Sequence, residues 1–102
     1  MKIIALFNLN PGAARDEYEA WARSRDLPGV RSLASVTDFQ VLRTTGLLFS
    51  EAKPPYDYIE VLDVSALDAF MGDCGSDTVA KLAQEMSAYT EGATFITTEA
   101  LG

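Results

Sequence analysis

Glu60 is the residue best placed to do chemistry. It sits in Tyr56-Asp57-Tyr58-Ile59-Glu60-Val61-Leu62-Asp63-Val64, a stretch with apolar residues on both alternating sides. Successive side chains of a strand point to opposite faces, so Ile59 and Val61 share one face while Tyr56, Tyr58, Leu62 and Val64 share the other with Glu60. A carboxylate among such neighbours is paired, protonated or at the rim of a cavity, because an isolated buried charge is costly. Unpaired, it would have a raised pKa and serve as a general acid or base near neutral pH. The competing reading pairs Glu60 with Arg43, on the neighbouring strand of the same hairpin. Arg43 could instead bind a carboxylate or enolate oxygen of a ligand.

Other side chains join these as candidates, each with a plainer alternative. Tyr58 and Tyr56 could donate hydrogen bonds to a ligand or wall a pocket; at strand spacing they equally suit a core or a subunit interface. Asn8 could orient a carbonyl oxygen, or it could bind backbone at the Asn10-Pro11-Gly12 turn. Tyr18 and Trp21 lie on the inner face of a helix, as core or as pocket wall. Glu60, Arg43 and Tyr58 form the expected catalytic set; Asn8, Tyr18, Trp21 and Tyr56 are the expected ligand contacts. Cys74, between Gly72 and Gly75, has no neighbouring cation to make it a thiolate. Asp63 with Asp68, or Asp73 with Asp77, reads as solvated charge and helix-start residues, so no metal site is expected.

The totals narrow the chemistry. The 102 residues contain no histidine, which removes Ser-His and Cys-His nucleophilic sites, His-ligated haem and most zinc sites together. Acid-base work falls to Glu, Asp, Tyr, Lys, Arg or water, and no cofactor is expected. A formal charge of −7 without any run of Lys or Arg disfavours nucleic acid and anionic membranes as partners. Apolar runs are short, no signal-peptide pattern follows Met1-Lys2, and one cysteine permits no internal disulfide, so a cytoplasmic protein is expected. The length suits one domain spanning 1–102, and 48% hydrophobic with 23% charged residues suits a folded chain.

The elements that must position these residues follow from periodicity. Residues 2–9 alternate as Ile3, Ala5, Phe7, Leu9 against Ile4, Leu6, Asn8, apolar on both faces and therefore a central strand. A helix over 13–26 places Ala14, Tyr18, Trp21 and Ala22 on one face, and Leu27-Pro28-Gly29 is expected to end it. Residues 35–45 form a more polar strand suited to an edge. The 46–55 loop carries Leu47-Leu48-Phe49, an apolar run that should pack on something. After the Tyr56 strand, Ser65 is a candidate N-cap for a short helix through Leu67, Phe70 and Met71, broken by Gly72 and Gly75. A helix from about Asp77 carries the stripe Val79, Leu82, Ala83, Met86 and Tyr89 or Thr90, and 93–100 reads as the last strand. The order strand, helix, strand, strand, helix pair, strand predicts an α+β, ferredoxin-like βαββαβ fold: a four-stranded antiparallel sheet with helices on one face. Because two strands are apolar on both sides, a second copy is expected to cover the open face, giving a homodimeric alpha-beta barrel.

The strings Phe7-Asn8-Leu9-Asn10-Pro11-Gly12, Tyr18-Glu19-Ala20-Trp21-Ala22-Arg23, Leu27-Pro28-Gly29-Val30-Arg31 and Pro55-Tyr56-Asp57-Tyr58-Ile59-Glu60-Val61 resemble the REDY-like HapK family over essentially the whole chain. The resemblance implies a dimeric alpha-beta barrel and an association with secondary metabolism, including biosynthesis of prodigiosin-type tripyrrole pigments. It brings no agreed set of catalytic residues. Two functions are therefore expected to compete. One is a dimer that binds an apolar or aromatic small molecule and transfers protons without a cofactor, with Glu60 moving the proton and Arg43, Tyr58 or Asn8 holding an oxyanion. The other is a non-catalytic accessory protein that shields an intermediate or supports a partner enzyme.

Overall fold

Period-two burial organises the sheet. In the computed structural model, which describes residues 1–102, β1 (Lys2–Phe7) buries Ile3, Ala5 and Phe7, while Ile4 and Leu6 on the opposite face are only partly covered. β3 (Tyr58–Val64) likewise buries Tyr58, Glu60, Leu62 and Val64. β2 (Val36–Arg43) and β4 (Thr94–Thr97) are the edges of an antiparallel sheet of order β2-β3-β1-β4. Thus the two strands apolar on both faces are central and the polar strand is an edge. All four strands are shorter than the alternation suggests: Asn8 and Leu9 leave β1, and Tyr56 and Asp57 precede β3.

The helices α1 (Arg15–Trp21), α2 (Leu27–Arg31), α3 (Leu67–Cys74) and α4 (Asp77–Met86) meet the face carrying Ile3, Phe7, Tyr58 and Leu62. Two apolar clusters fill the space between. Ile3, Val36, Phe39, Leu62 and Val64 pack with Leu27, Val30 and Phe70; Phe7, Tyr18, Ala22 and Tyr58 pack with Trp21, Met86 and Tyr89. In the second cluster, Tyr18 stands edge-on to Phe7 with ring centroids 5.6 Å apart and lies 4.7 Å from Tyr58, within the range where aromatic pairs add to burial. This is the expected α+β, ferredoxin-like arrangement.

Three local expectations are corrected. First, Leu27-Pro28-Gly29 does not end the first helix. The chain passes from α1 through a π-helical turn, Ala22–Asp26, whose closing bond runs from the Leu27 N–H to the Ala22 carbonyl, and continues as α2. Pro28 then occupies the first turn of α2, where a missing N–H is tolerated. Second, Ser65 is not a cap. Its N–H donates to the Ser35 carbonyl (2.8 Å), which holds it in extended pairing, and the helix starts after Ala66 with no side-chain cap. Third, α3 runs through Gly72 and stops only at Gly75. The Leu47-Leu48-Phe49 run finds no cover within its own chain, where Leu48 is 87% and Phe49 95% exposed. The α4 stripe is present from Val79 to Met86, but the helix ends there, before Tyr89 and Thr90; Ser76 is its cap, accepting a bond from the Val79 N–H. No helix is long and apolar enough to cross a membrane.

Candidate functional site

One row across the sheet carries Glu60 to the floor of a half-open cavity between sheet and helices. Val41 on β2 lies opposite Glu60 on β3, Glu60 opposite Ala5 on β1, and Ala5 opposite Phe95 on β4. Ala5 is fully buried and, like Val41, does not line the cavity, whereas Glu60 and Phe95 do. The space is a cavity of about 250 Å³ whose walls come from Phe39 and Leu62, from Val30 and Leu33, from Phe70 and Cys74 of α3, and from Val79, Leu82, Ala83 and Met86 of α4. Phe95 stands 60% exposed at its edge. The α4 stripe read from the sequence thus lines a cavity as well as a core.

Two carboxyl groups enter this apolar space, Glu60 from the floor and Asp26 from the π-helical turn. Both are 5% exposed, and neither Glu60 Oε1 nor Asp26 Oδ2 has a hydrogen-bond partner within the chain. Burial pushes the Glu60 pKa from 4.5 up to about 8, with the nearby Asp26 charge adding to the rise. Burial alone pushes Asp26 from 3.8 to about 6. Close beside them is the Tyr18 hydroxyl, fully buried and also without a partner. Its pKa is driven upward by burial first and then by Glu60 and Asp26, so it stays protonated. Unsatisfied buried polar atoms are rare in folded proteins; two of these three belong to residues lining the cavity and the third, on Tyr18, is their neighbour, which makes this the candidate site.

The π-helical turn explains how Asp26 gets there. In a regular α-helix a step of four residues overshoots one turn by about 40°, so a residue eight positions after Tyr18 drifts about 80° from it. The wider turn rotates less per residue. Tyr18, Ala22 and Asp26 consequently all face inward and are all buried. Glu85 of α4 fastens this segment from outside: it accepts from the Trp21 indole Nε1 (2.9 Å) and from Arg25 Nε and Nη2 (3.0 and 2.7 Å). The Arg25 and Trp21 bonds hold the Glu85 carboxyl down at about 2.

The expected catalytic set does not converge. Arg43 lies opposite Tyr58, not Glu60, in the β2–β3 register. Its guanidinium pairs with Glu19 at 2.9 Å, which corrects the Glu60–Arg43 ion pair. The Tyr58 hydroxyl donates to the other Glu19 oxygen at 2.7 Å. Glu19 is held below the usual carboxylate range first by the Tyr58 bond and then by Arg43, while Tyr58 is raised to about 12 by burial and by that same bond. This second cluster borders a more polar recess of about 220 Å³ at the α1–β2 edge, which also includes Tyr18, Arg23 and Val41.

The other expected ligand contacts divide. Tyr18 is at the carboxyl pair. Trp21 is behind it, in tilted contact with Tyr18 and Tyr89, ring centroids 6.0 and 5.8 Å away. Asn8 is exposed and bound to backbone, donating to the Pro55 carbonyl (3.1 Å) and accepting from the Asp57 N–H (2.9 Å). Tyr56 is half-buried before β3 begins and does not line the cavity. Asp26 is the residue that sequence reading missed. Its signal was the four-residue spacing Tyr18, Ala22, Asp26, which becomes an inner face only with the π-helical turn.

Fold and site together define a ferredoxin-like α+β protein whose sheet and helices border a half-open apolar cavity holding two carboxyl groups. The model of the REDY-like protein HapK family matches residues 1–101, and the chain belongs to that family. Among solved structures it is similar to HapK from Hahella chejuensis, with 28% identity, a TM-score of 0.76, and coverage of 100% of this chain and 96% of that one. An EthD-family protein from Bacillus halodurans gives a TM-score of 0.76 at 16% identity over 98% of this chain and 97% of its own. A protein from Thermobifida fusca, described as dimeric, ferredoxin-like and of unknown function, gives 0.72 at 19% identity over 93% and 85%. The last two likenesses concern the fold. Comparison with curated protein sequences gives no match.

Proposed function

We propose that this protein binds an apolar, partly aromatic small molecule in the cavity between sheet and helices and moves a proton on it without a cofactor. The observation that carries the reading is the juxtaposition of two buried, unpartnered carboxyl groups, Glu60 and Asp26, in an otherwise apolar cavity. With Glu60 near 8 and Asp26 near 6, the pair holds one proton between those values. Glu60 is then the acid, Asp26 the base, and the Tyr18 hydroxyl a neutral donor beside both. Isomerisation, cyclisation or condensation needs such a proton donor and acceptor in one dry site. Glu19, Arg43 and Tyr58 support the site by tying α1 to the sheet next to Tyr18. The working unit is a cytoplasmic homodimer. The partly exposed Ile4, Leu6, Ile59, Val61, Leu42 and Ile96 of the helix-free face support pairing through the sheets, as does the dimeric Thermobifida fusca neighbour. Membership of the HapK family supports a place in secondary metabolism of the prodigiosin type.

The test titrates the neutral fluorophore N-phenyl-1-naphthylamine into the protein, displaces it with a panel of aromatic and pyrrole-like molecules, and follows absorbance for conversion. Saturable binding by the wild type and Glu60→Gln, with conversion only by the wild type, is the expected result. Conversion retained by Glu60→Gln sinks the assignment of the acid. One observation favours a second reading, a non-catalytic accessory protein: the exposure of Leu48 and Phe49, an apolar tip suited to docking. Under that reading Phe49→Asp loses partner capture and leaves binding of the fluorophore intact; dissociation of the dimer would assign the tip to the second subunit instead.

A further inference from the structure

The Glu60–Asp26 cavity has an electrostatic character that narrows its ligand further. Its lining contains no Arg, Lys, Asn, Gln, Ser or Thr; the polar side chains are Glu60, Asp26 and the Cys74 thiol. The cations of this part of the chain are engaged elsewhere, Arg25 with Glu85 and Arg43 with Glu19. An anionic ligand, or one that builds negative charge on oxygen, would meet two carboxyl groups and no counter-charge in a medium of low dielectric. A pure hydrocarbon would leave Glu60 Oε1 and Asp26 Oδ2 without partners, at a cost of roughly 1–3 kcal/mol for each unsatisfied group.

We infer that the cavity selects apolar ligands carrying one basic nitrogen, a ring nitrogen or an amine, which lies between Glu60 and Asp26, and that it rejects carboxylic acids of the same shape. This rests on the reading of the cavity as the binding site and names its ligand class. The ligand enters as the neutral base, so no cation is stripped of water. The Glu60 carboxyl gives its proton to the nitrogen lone pair; the Glu60 O–H bond breaks, an N–H bond forms, and the resulting cation faces the Glu60 and Asp26 carboxylates. Of the elements packed against the pair, α1 presents the Tyr18 hydroxyl and α3 the Cys74 thiol, while α4 presents only Val79, Leu82, Ala83 and Met86. Nothing on those elements competes as a counter-ion.

The experiment uses three bicyclic aromatics of similar size, naphthalene, isoquinoline and 2-naphthoic acid, as competitors of N-phenyl-1-naphthylamine near pH 7. Wild type, Glu60→Gln and the Glu60→Gln/Asp26→Asn double variant are compared, each checked by circular dichroism for retained fold. Expected is isoquinoline competing at least about tenfold better than naphthalene, with 2-naphthoic acid the weakest. In the double variant that advantage falls to about twofold or less while naphthalene is unchanged. Naphthoic acid competing as well as isoquinoline, or an isoquinoline advantage that survives in the double variant, overturns the ligand class and leaves the cavity as a binding site. Failure of the fluorophore and all three competitors to bind the wild type overturns the cavity reading together with this one.

Discussion

Replacing Glu60 by Gln should make this protein more stable at neutral pH and leave it no more stable in mild acid. The sign follows from the direction of the pKa change. Burial raises Glu60 from 4.5 to about 8, so between those values the folded chain holds a proton that the unfolded chain has released. Stability associated with this group is fully present below the unfolded value and falls as pH rises toward the folded one. At pH 7 the accumulated cost is about 3 kcal/mol, and at pH 5 it is under about 1 kcal/mol. A glutamine never ionises, but its amide is still buried, a penalty on the order of 1 kcal/mol. The net gain is then about 2 kcal/mol at pH 7 and about zero at pH 5, or roughly 10 °C in Tm at the higher pH. Urea denaturation followed by far-ultraviolet circular dichroism, at fixed protein concentration because an associating chain gains stability by mass action, gives the difference directly. An equal difference at both pH values, or a variant less stable than wild type at pH 7, would refute a buried, proton-holding Glu60.

Three further outcomes follow from the same geometry. Asp26→Asn removes the charge that helps Glu60 keep its proton, so the Glu60 carboxyl, followed by carbon-detected NMR titration, should move below about 8; an unchanged midpoint would mean the two groups do not interact. Glu19→Ala leaves the buried Tyr58 hydroxyl without its acceptor and should cost about 1–3 kcal/mol in urea denaturation, whereas Arg43→Ala, at a half-exposed partner, should cost about 1 kcal/mol or less. In Gly29→Ala the new Cβ would lie 2.8 Å from Leu82 Cδ1; the flexible leucine end yields toward the cavity, so Tm should shift little while fluorophore affinity falls several-fold, and unchanged affinity would place the ligand away from Leu82.

The sheet was legible because its signal is strictly local. Alternation in β1 and β3 identified them as central, the polar pattern of β2 identified an edge, and the spacing of Val79, Leu82, Ala83 and Met86 identified α4. Glu60 was legible for the same reason: a charge at an inward position of a strand is an anomaly on its own. What failed depended on registers that the sequence does not print. Arg43 shares the inward face with Glu60, but the β2–β3 pairing sets it opposite Tyr58, and a distant helix supplies its partner, Glu19. Asp26 follows an arginine-rich turn and precedes Leu27-Pro28-Gly29, a string that ordinarily closes a helix. Only the change of hydrogen-bond register at Ala22–Asp26 carries the helix past the proline and turns the aspartate inward. Ser65 had the composition of a cap, but cross-strand bonding to Ser35 claimed its backbone first.

The π-helical turn also fixes what changes in chain length the site tolerates. Deleting one residue between Ala22 and Asp26, such as the exposed Ser24, would let the segment close as an ordinary α-helix with the aspartate seven positions after Tyr18; seven steps of about 100° fall only about 20° short of two full turns, so the carboxylate stays on the inner face. The turn therefore acts as a spacer that absorbs one residue, and the phase of the helix beyond it is kept. Relatives with this fold that set the inward carboxylate seven rather than eight positions after the tyrosine would present the same pair from an unbroken helix.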